Sequence, residues 1–504
     1  MTDVDAVGFA LAWSPILLIA VLAVGFKRPA LELSLWGTAL TVVLAVTYFR
    51  TAPLAVVLAA LDGILTNLPL LLLVYFGVLL SVVLTASGSL ARLVAWLLGE
   101  ESEHWHRTLL LSVGIGNVLE GAGVVAEPVA APMLRESGLS GESSTILSIQ
   151  GYAGIMALSV AGTLILVLEA VTGLPVQGVA RASVWVSLPC LLFMVLTIPL
   201  VTSPRNGALR RLPVFLLTAV VAGVVALVCT YWVGFSVAGL LAGLAVTVAL
   251  LAVSSHVPRV SLQILRDMAP FGFLVLVLAL VNLVPSLRAL TYERLVFTVS
   301  PVPVHPIVVR PLFSSYLYLL LAVMLSLHLF HLWGVRARAL LRAGTRKAAL
   351  PVVAMAIFGV MGQVVTFSGY DASFGAMAPQ GNMTSLLANG LVAVTGGAYP
   401  LFAPLLGWIG TFLTGYGLAA VVLFGPLQLE AASVLGVSPT VLVSALLVGS
   451  GVASVSSPLK LAMAAPLVGA AGREGAMLRR TIPLGLTAGF LAGGAALLLR
   501  HVAF

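Results

Sequence analysis

The sequence predicts an all-α polytopic membrane protein with roughly 12–14 transmembrane helices. Of its 504 residues 61% are hydrophobic and only 8% are charged, whereas a soluble globular domain carries about 25% charged residues. The apolar residues also form continuous runs, for example residues 68–84 and 212–233. Such runs match the roughly 20 residues that a helix needs to cross a bilayer. They are too long and too uniform for barrel strands of about 10 residues with alternating polarity.

The net charge of +8 comes largely from short polar segments between the spans, at residues 27–28, 204–211, 334–347 and 472–480. Basic residues in such segments mark the cytoplasmic side, so this charge predicts topology and not nucleic-acid binding. The acidic N-terminus lacks a basic region, so we interpret the first apolar stretch as a retained transmembrane helix. Cys190 and Cys229 lie in apolar runs and predict neither a disulfide nor a metal site. No metal and no cofactor are expected.

The chain divides into a first transmembrane half, 1–285, a connecting segment with a basic cytoplasmic loop, 286–345, and a second half, 346–504. Both halves contain stretches rich in Gly, Pro and hydroxyl residues, at 116–159, 366–390, 407–428 and 448–466. Backbone polar groups cannot stay unpaired in lipid, so broken helices occur only where protein or water covers them. Interrupted segments in both halves therefore predict inverted repeats with broken or re-entrant segments and a site near the bilayer midplane.

Two acidic residues in the first of these stretches are the candidates for proton coupling. Glu120 and Glu127 are seven residues apart, which aligns them on one face of a helix or places them on a broken segment. Ionisable groups inside membrane spans are costly and by default functional, and removal from water favours the neutral form of a carboxyl group. Two structural roles stay open: Glu120 accepts hydrogen bonds from loop amides, and Glu127 pairs with Arg135.

The second half holds the predicted anion-binding groups. Small residues around Asp371 allow backbone N–H groups to approach an anion, and Pro458 predicts a helix start that presents hydroxyl and N–H donors beside Lys460. The predicted substrate-binding residues are Ser368, Gly369, Tyr370, Asp371, Ser373, Thr414, Ser454, Ser456, Ser457 and Lys460. Alternatively, Lys460 extends to the membrane interface and Asp371 caps the following helix. Asp62 and Glu430 are interpreted as caps or solvated charges at span ends.

Several motifs resemble those of the L-lactate permease family. They are GWIGTFLTG (407–415), LFGPLQ (423–428) and the Gly-rich run 436–475, with LEGAGVVAEPVA (119–130) in the first half. The resemblance covers about residues 65–500 and implies a multi-pass carrier of the bacterial inner (plasma) membrane. It also implies proton-linked transport of small 2-hydroxy monocarboxylates, chiefly lactate and glycolate, on an inverted-repeat fold with re-entrant hairpins and elevator-type alternating access. Residues 416–421 are mostly apolar where the family has a polar run.

We therefore expect a secondary active transporter that carries a small organic anion together with a proton, or less readily with sodium. A homo-oligomer is compatible with the sequence. The competing hypotheses are a carrier for another small solute and a divergent membrane subunit without transport activity. A membrane-embedded enzyme would need a converging acid/base or metal set, which the sequence does not offer, so we expect no enzyme.

Overall fold

A computed structural model of the chain describes residues 6–26, 28–98, 104–202, 209–254, 261–378, 381–415 and 417–504. These residues are almost entirely helical, and within them ten helices are long and apolar enough to cross a membrane. Several shorter apolar helices accompany them. The prediction of an all-α polytopic membrane protein is confirmed.

The first series of helices contains α1 to α13. Their bounds are Ala6–Ala20 (α1), Ala30–Thr47 (α2), Pro53–Ala86 (α3), Ser89–Leu98 (α4), His104–Leu109 (α5), Gly116–Gly121 (α6), Glu127–Glu136 (α7), Gly141–Ala153 (α8), Thr163–Thr172 (α9), Val176–Leu196 (α10), Ile198–Val201 (α11), Leu212–Val228 (α12) and Ala238–Val253 (α13).

The second series contains α14 to α23 and a small sheet. The helices are Leu262–Leu283 (α14), Pro285–Arg288 (α15), Ser315–Leu329 (α16), Val335–Thr366 (α17), Met383–Thr395 (α18), Tyr399–Thr414 (α19), Gly417–Leu435 (α20), Pro439–Val452 (α21), Pro458–Ala464 (α22) and Glu474–Leu499 (α23). Between α15 and α16, strands Phe297–Val299 (β1) and Ile307–Val309 (β2) pair antiparallel, with Phe297 opposite Val309.

The basic stretch 334–347 is helical, where the sequence predicted a loop. It forms the exposed first turns of α17, a single helix of 32 residues. This helix runs antiparallel to α3, because Gly344 lies beside Leu79 while Gly359 lies beside Gly63. A Cβ on Gly63 would come within 2.4 Å of the Gly359 carbonyl oxygen, so only glycine permits this close helix crossing. The basic start of α17 therefore lies at the C-terminal end of α3.

The pattern of packed helices repeats along the chain. Helix α1 packs on α2 as α14 packs on α16. Contacts between the two series are reciprocal: α2 packs on α17 and α16 on α3, and α9 packs on α20 as α22 does on α7. The long helices α10 and α23 also pack on each other. Each series therefore completes its packing against the other.

The helices are interrupted in three of the four predicted stretches. Residues 122–126 form a turn between α6 and α7, and residue 415 lies in the turn between α19 and α20. Helices α8 and α9 are separated by two 3₁₀ turns, Met156–Leu158 and Val160–Gly162, and Val160 and Ala161 have positive φ. A 3₁₀ turn, Ala453–Ser456, separates α21 from α22. In the remaining stretch, 366–390, residues 367–378 form a loop that precedes α18.

Candidate functional site

These interruptions converge on an internal cavity of about 60 Å³, which is space for a few water molecules. Both turns and both broken helices contribute to its wall, together with α3 and α17. Its lining residues are Glu120, Gly123, Val125 and Glu127 from the first turn, Gly417 and Leu418 from the second, Met156, Val160 and Leu164 from the first broken helix, Ser454, Lys460 and Met463 from the second, Leu70, Leu73 and Val74 from α3, and Met355 from α17. We call this space the central cavity.

One wall of the central cavity holds a buried cluster of charged and polar side chains. The Lys460 ammonium lies 2.9 Å from Glu127 Oε1 and donates to the Tyr152 hydroxyl at 2.7 Å. The Tyr152 hydroxyl in turn donates to Glu127 Oε1 at 2.5 Å. Glu120 Oε1 lies 3.8 Å from the same ammonium. The cluster therefore joins the two halves of the chain through a single lysine.

Local structure explains how each half presents its part of the cluster. Helix α22 begins at Pro458, as predicted, and the Ser457 side chain accepts a hydrogen bond from the Lys460 amide. Lys460 thus lies in the first turn of a short helix that faces the break. On the other side, Glu120 Oε1 accepts a hydrogen bond from the Ala126 amide at 3.2 Å, which closes the turn between α6 and α7. Glu120 therefore has the structural role of accepting from a loop amide, and it also lies beside a charge.

The Glu127–Arg135 pair and an interfacial position of Lys460 are not observed. Glu127 pairs with Lys460, whereas the Arg135 guanidinium donates to the Leu139 carbonyl at 2.7 Å. Lys460 is 6% exposed and points into the cluster, so it does not extend to the membrane interface. Because α6 ends before the turn and α7 begins at Glu127, Glu120 and Glu127 lie on a broken segment and not on one helical face.

Tyr152 is a member of the cluster that sequence reasoning missed. It is fully buried near the end of α8. Its signal is compositional, since it is the only aromatic residue in the stretch 116–159. A Cβ on the neighbouring Gly151 would lie 2.0 Å from the Ser112 carbonyl oxygen, so α8 packs tightly on the preceding segment. This close packing fixes the tyrosine ring against the cluster.

The three predicted serines of the second break have different surroundings. Ser454 lines the central cavity. Ser456 is buried and donates to the Thr481 carbonyl at 2.9 Å, and Ser457 caps α22. Thr414 is the last residue of α19, and its side chain lies outside the described part of the structure. Of the predicted substrate-binding residues, Ser454 and Lys460 thus lie on the cavity wall.

The predicted residues 368–373 lie elsewhere, in the loop that follows α17. The Gly369 amide donates to the Thr51 hydroxyl at 2.8 Å, and the Tyr370 carbonyl accepts from the Ala52 amide at 3.0 Å. The loop therefore packs on the connection between α2 and α3, and it contributes no residue to the lining of the central cavity.

Asp371 is exposed and organises this loop. It accepts hydrogen bonds from the Ser373 hydroxyl at 2.6 Å and from the Gly375 amide at 2.9 Å. These hydrogen bonds, with that of Ser373 foremost, hold the pKa of Asp371 below its ordinary value. The cap of the following helix is Asn382, so Asp371 does not cap that helix.

The interpretation of Asp62 as a cap or a solvated charge at a span end is wrong. Asp62 is fully buried in α3 and forms an ion pair with His305 at 2.9 Å. No local sequence signal marks this pair, because 243 residues separate its members.

The charges of the central cluster do not cancel. With both carboxylates ionised and the ammonium charged, Glu120, Glu127 and Lys460 carry one net negative charge. Glu127 Oε2 is buried and has no hydrogen-bond partner among the described residues, so it retains the capacity to accept a proton or a ligand donor. Within the same residues, no group of three or more His, Cys, Asp or Glu side chains is placed to hold a metal ion. In this arrangement a bound anion can take the place of a glutamate carboxylate beside the Lys460 ammonium.

Comparison with known proteins identifies the family. The sequence profile described as L-lactate permease matches residues 8–503. The chain is 38% identical over 102 residues to the L-lactate permease of Halalkalibacterium halodurans, which covers 20% of this chain and 19% of the relative. It is 35% identical over 134 residues to the glycolate permease GlcA of Escherichia coli K12, which covers 27% and 24%. Alignment to the curated relatives thus spans about a fifth to a quarter of their length. Because the profile covers nearly the whole chain, this multi-pass membrane protein belongs to the L-lactate permease family.

Proposed function

We propose that the protein is a secondary active transporter that carries small monocarboxylates of the lactate and glycolate type across the plasma membrane together with protons. The observation that carries this proposal is the buried lysine, which faces a cavity and is shared by a glutamate from each side of one turn. Family membership supports the substrate class, because relatives are described as lactate and glycolate permeases. A permease function also accounts for a charged cluster inside an otherwise apolar bundle.

In this proposal, the substrate carboxylate binds at Lys460. A carboxylate there competes with Glu127 for the ammonium, and the Tyr152 hydroxyl provides a further hydrogen bond. Ser454, which also lines the central cavity, is available to the substrate hydroxyl. Most other lining side chains are apolar, with Leu164 among them, and suit a short alkyl group.

Charge balance supports proton coupling. With both glutamates ionised, the cluster carries one net negative charge before the substrate binds, and an added monocarboxylate would double it in a poorly solvated site. Uptake of one proton with each anion leaves the net charge unchanged. Glu120 is the proposed proton acceptor, because its carboxylate lies farther from the Lys460 ammonium, at 3.8 Å against 2.9 Å for Glu127. When the substrate enters and pairs with the Lys460 ammonium, Glu127 receives the proton. When the substrate leaves, Glu127 pairs with the ammonium again.

We also propose that the two helical series are inverted repeats. The reciprocal packing of α2 on α17 and α16 on α3, and the antiparallel course of α3 and α17, support this relation. In that arrangement the second repeat begins at α14, earlier than residue 346, and α3 and α17 form a fixed support. The two turns and the two broken helices move relative to this support, and the central cavity moves with them from one side of the membrane to the other.

The test is uptake of labelled lactate and glycolate into proteoliposomes under an imposed pH gradient. We expect gradient-driven uptake by the natural protein and its loss in Glu120→Gln, with folding and insertion retained. The matched control is Glu136→Gln, which neutralises an exposed glutamate on α7 and is expected to leave uptake unchanged. Full gradient-driven uptake by Glu120→Gln would contradict the proton role, and undetectable binding and uptake of such acids by the natural protein would contradict the substrate class.

A further inference from the structure

A second, larger cavity lies beside the central one and is covered by the segment between α15 and α16. It measures about 440 Å³. Helix α3 contributes Thr66 and Pro69 to it and Leu70 to the central cavity, while α9 contributes Glu169 to it and Leu164 to the central cavity. The two spaces are therefore neighbours along the same two helices. We call the larger one the vestibule and residues 297–310, of which residues 304–310 line it, the strap.

The vestibule lies at one end of the bundle. The strap contacts Asp62 in α3, which lies beside the Gly63–Gly359 crossing, whereas the basic start of α17 lies at the other end of α3. By the positive-inside rule the basic end is cytoplasmic. The strap and the vestibule are thus on the outer side.

His305 ties the strap to two helices at once. Its Nδ1 atom lies 2.9 Å from Asp62 Oδ2 in α3, and its Nε2 atom lies 2.5 Å from the Ala170 carbonyl oxygen at the end of α9. Burial lowers the pKa of His305, but the hydrogen bond and the charge of Asp62 outweigh it and the pKa is raised. Both ring nitrogens donate when the imidazole is charged, which fits its two acceptor partners.

A second set of contacts ties the strap to the same end of α9. The Arg310 guanidinium lies 2.6 Å from Glu169 Oε2, and the Tyr292 hydroxyl donates to Glu169 Oε1 at 2.9 Å. The guanidinium also lies over the Tyr292 ring, 4.1 Å from its centroid. The outer end of α9 is thus held by an imidazole, a guanidinium and a phenol.

Helix α9 is short and lies between two stretches of left-handed backbone. It has ten residues, and its N-terminal side follows Val160, Ala161 and Gly162, all with positive φ. Gly173, also at positive φ, ends it. These stretches separate α9 from α8 on one side and from α10 on the other, so α9 is not part of a continuous longer helix. Since it forms part of the wall of both cavities, its tilt would open or close the route between them.

We propose that the strap is a latch, which holds α9 against α3 through His305 and Arg310 and closes the outer route to the central cavity. The contacts of His305 with Asp62 and Ala170, and of Arg310 with Glu169, break in each transport cycle. This inference rests on the proposed transport function for its role, but the closure itself can be tested without a substrate.

The first experiment measures closure directly. Leu65→Cys places a thiol in the vestibule of a chain whose own cysteines, Cys190 and Cys229, are both buried. We expect a membrane-impermeant maleimide to label this thiol slowly, and His305→Ala to accelerate labelling by about tenfold or more, the effect of losing a hydrogen bond to a charged group. The matched control is His501→Ala, an exposed histidine outside the strap. Equal labelling rates with and without His305 would overturn the latch, whatever the protein transports.

The second experiment tests the cycle. A Glu169→Cys/Arg310→Cys pair is joined by a short, reducible bifunctional thiol reagent, and lactate uptake is measured before joining, after joining and after reduction. We expect joining to abolish uptake and reduction to restore it. The control pair, Phe297→Cys/Val309→Cys, lies opposite within the strap and is expected to transport when joined. Undiminished uptake by the joined Glu169→Cys/Arg310→Cys protein would overturn the latch. Absence of uptake in every protein, with the labelling difference intact, would overturn the transport function alone.

Discussion

Replacement of Lys460 gives the most direct test of the central cluster. Lys460→Met keeps an unbranched side chain of similar length but removes the charge. In the structure it eliminates the 2.9 Å ion pair with Glu127 and the 2.7 Å hydrogen bond to Tyr152. Glu127 is fully buried, so the variant leaves an uncompensated carboxylate. Breaking a buried pair in this way costs about 3–5 kcal/mol.

The size of the effect can be isolated with a double-mutant cycle. Glu127→Gln should also destabilise the protein, because it leaves the ammonium with its weaker partner, Glu120. Lys460→Met/Glu127→Gln removes both charges, and replacement of a whole buried pair by neutral groups is often neutral or stabilising. We therefore expect the double variant to be more stable than Lys460→Met. We expect all three variants to lose lactate uptake, because the proposed anion-binding charge or its exchange partner is absent.

Stability is measured as thermal unfolding of the purified protein in detergent, with size-exclusion elution as the readout. Transport is measured as uptake into proteoliposomes. Lys347→Met is the matched control, since Lys347 is exposed near the start of α17. The control should unfold and transport like the natural protein. Natural stability and natural uptake in Lys460→Met would refute the reasoning, because the buried Glu127 carboxylate cannot lose its charged partner without a loss of stability.

Three further substitutions or comparisons test the walls of the cavity. Tyr152→Phe should leave the fold intact and lower the efficiency of uptake about tenfold or more, because it removes a hydroxyl that bonds two charged groups; natural uptake kinetics would contradict this. Gly77→Ala should reduce thermal stability and uptake, since its Cβ would lie 2.1 Å from the Gly123 carbonyl in the turn, whereas Gly272→Ala, with nothing within 4 Å, should do neither. In competition assays lactate should bind about fourfold more tightly than glycolate, because its methyl group contributes about 0.8 kcal/mol at an apolar wall; equal affinities would show that the alkyl group does not contact this wall.

The sequence was most informative where a local property decided the outcome. Its apolar runs and scarce charges required a bilayer, and its Gly, Pro and hydroxyl clusters marked the interruptions between α6 and α7, α19 and α20, and α21 and α22. Pro458 marked a helix start because proline is suited to the first turn and lacks an N–H donor. Each of these features depends on a few neighbouring residues, and so it can be read without knowledge of the fold.

Which polar side chains pair with each other depended on the packing between segments that are distant in the sequence. Tyr152 and Lys460 are 308 residues apart, and composition gives no reason to place one against the other. The same limit explains Asp62, whose partner His305 lies on the strap, and Asp371, whose surroundings suggested an interior turn but whose hydrogen bonds are local and exposed. Local composition reports where a helix can break, but not which side of the fold the break will face.

The sequence by itself thus determined that the chain resides in a membrane, that it is helical, and where its backbone departs from continuous helix. The tertiary structure decided which of these departures meet, and it selected Glu120, Glu127, Tyr152 and Lys460 from a longer set of polar residues. The physical reason is the cost of a charge away from water. Such a charge needs a partner within hydrogen-bonding distance, and only the packing of the two series of helices brings that partner to it.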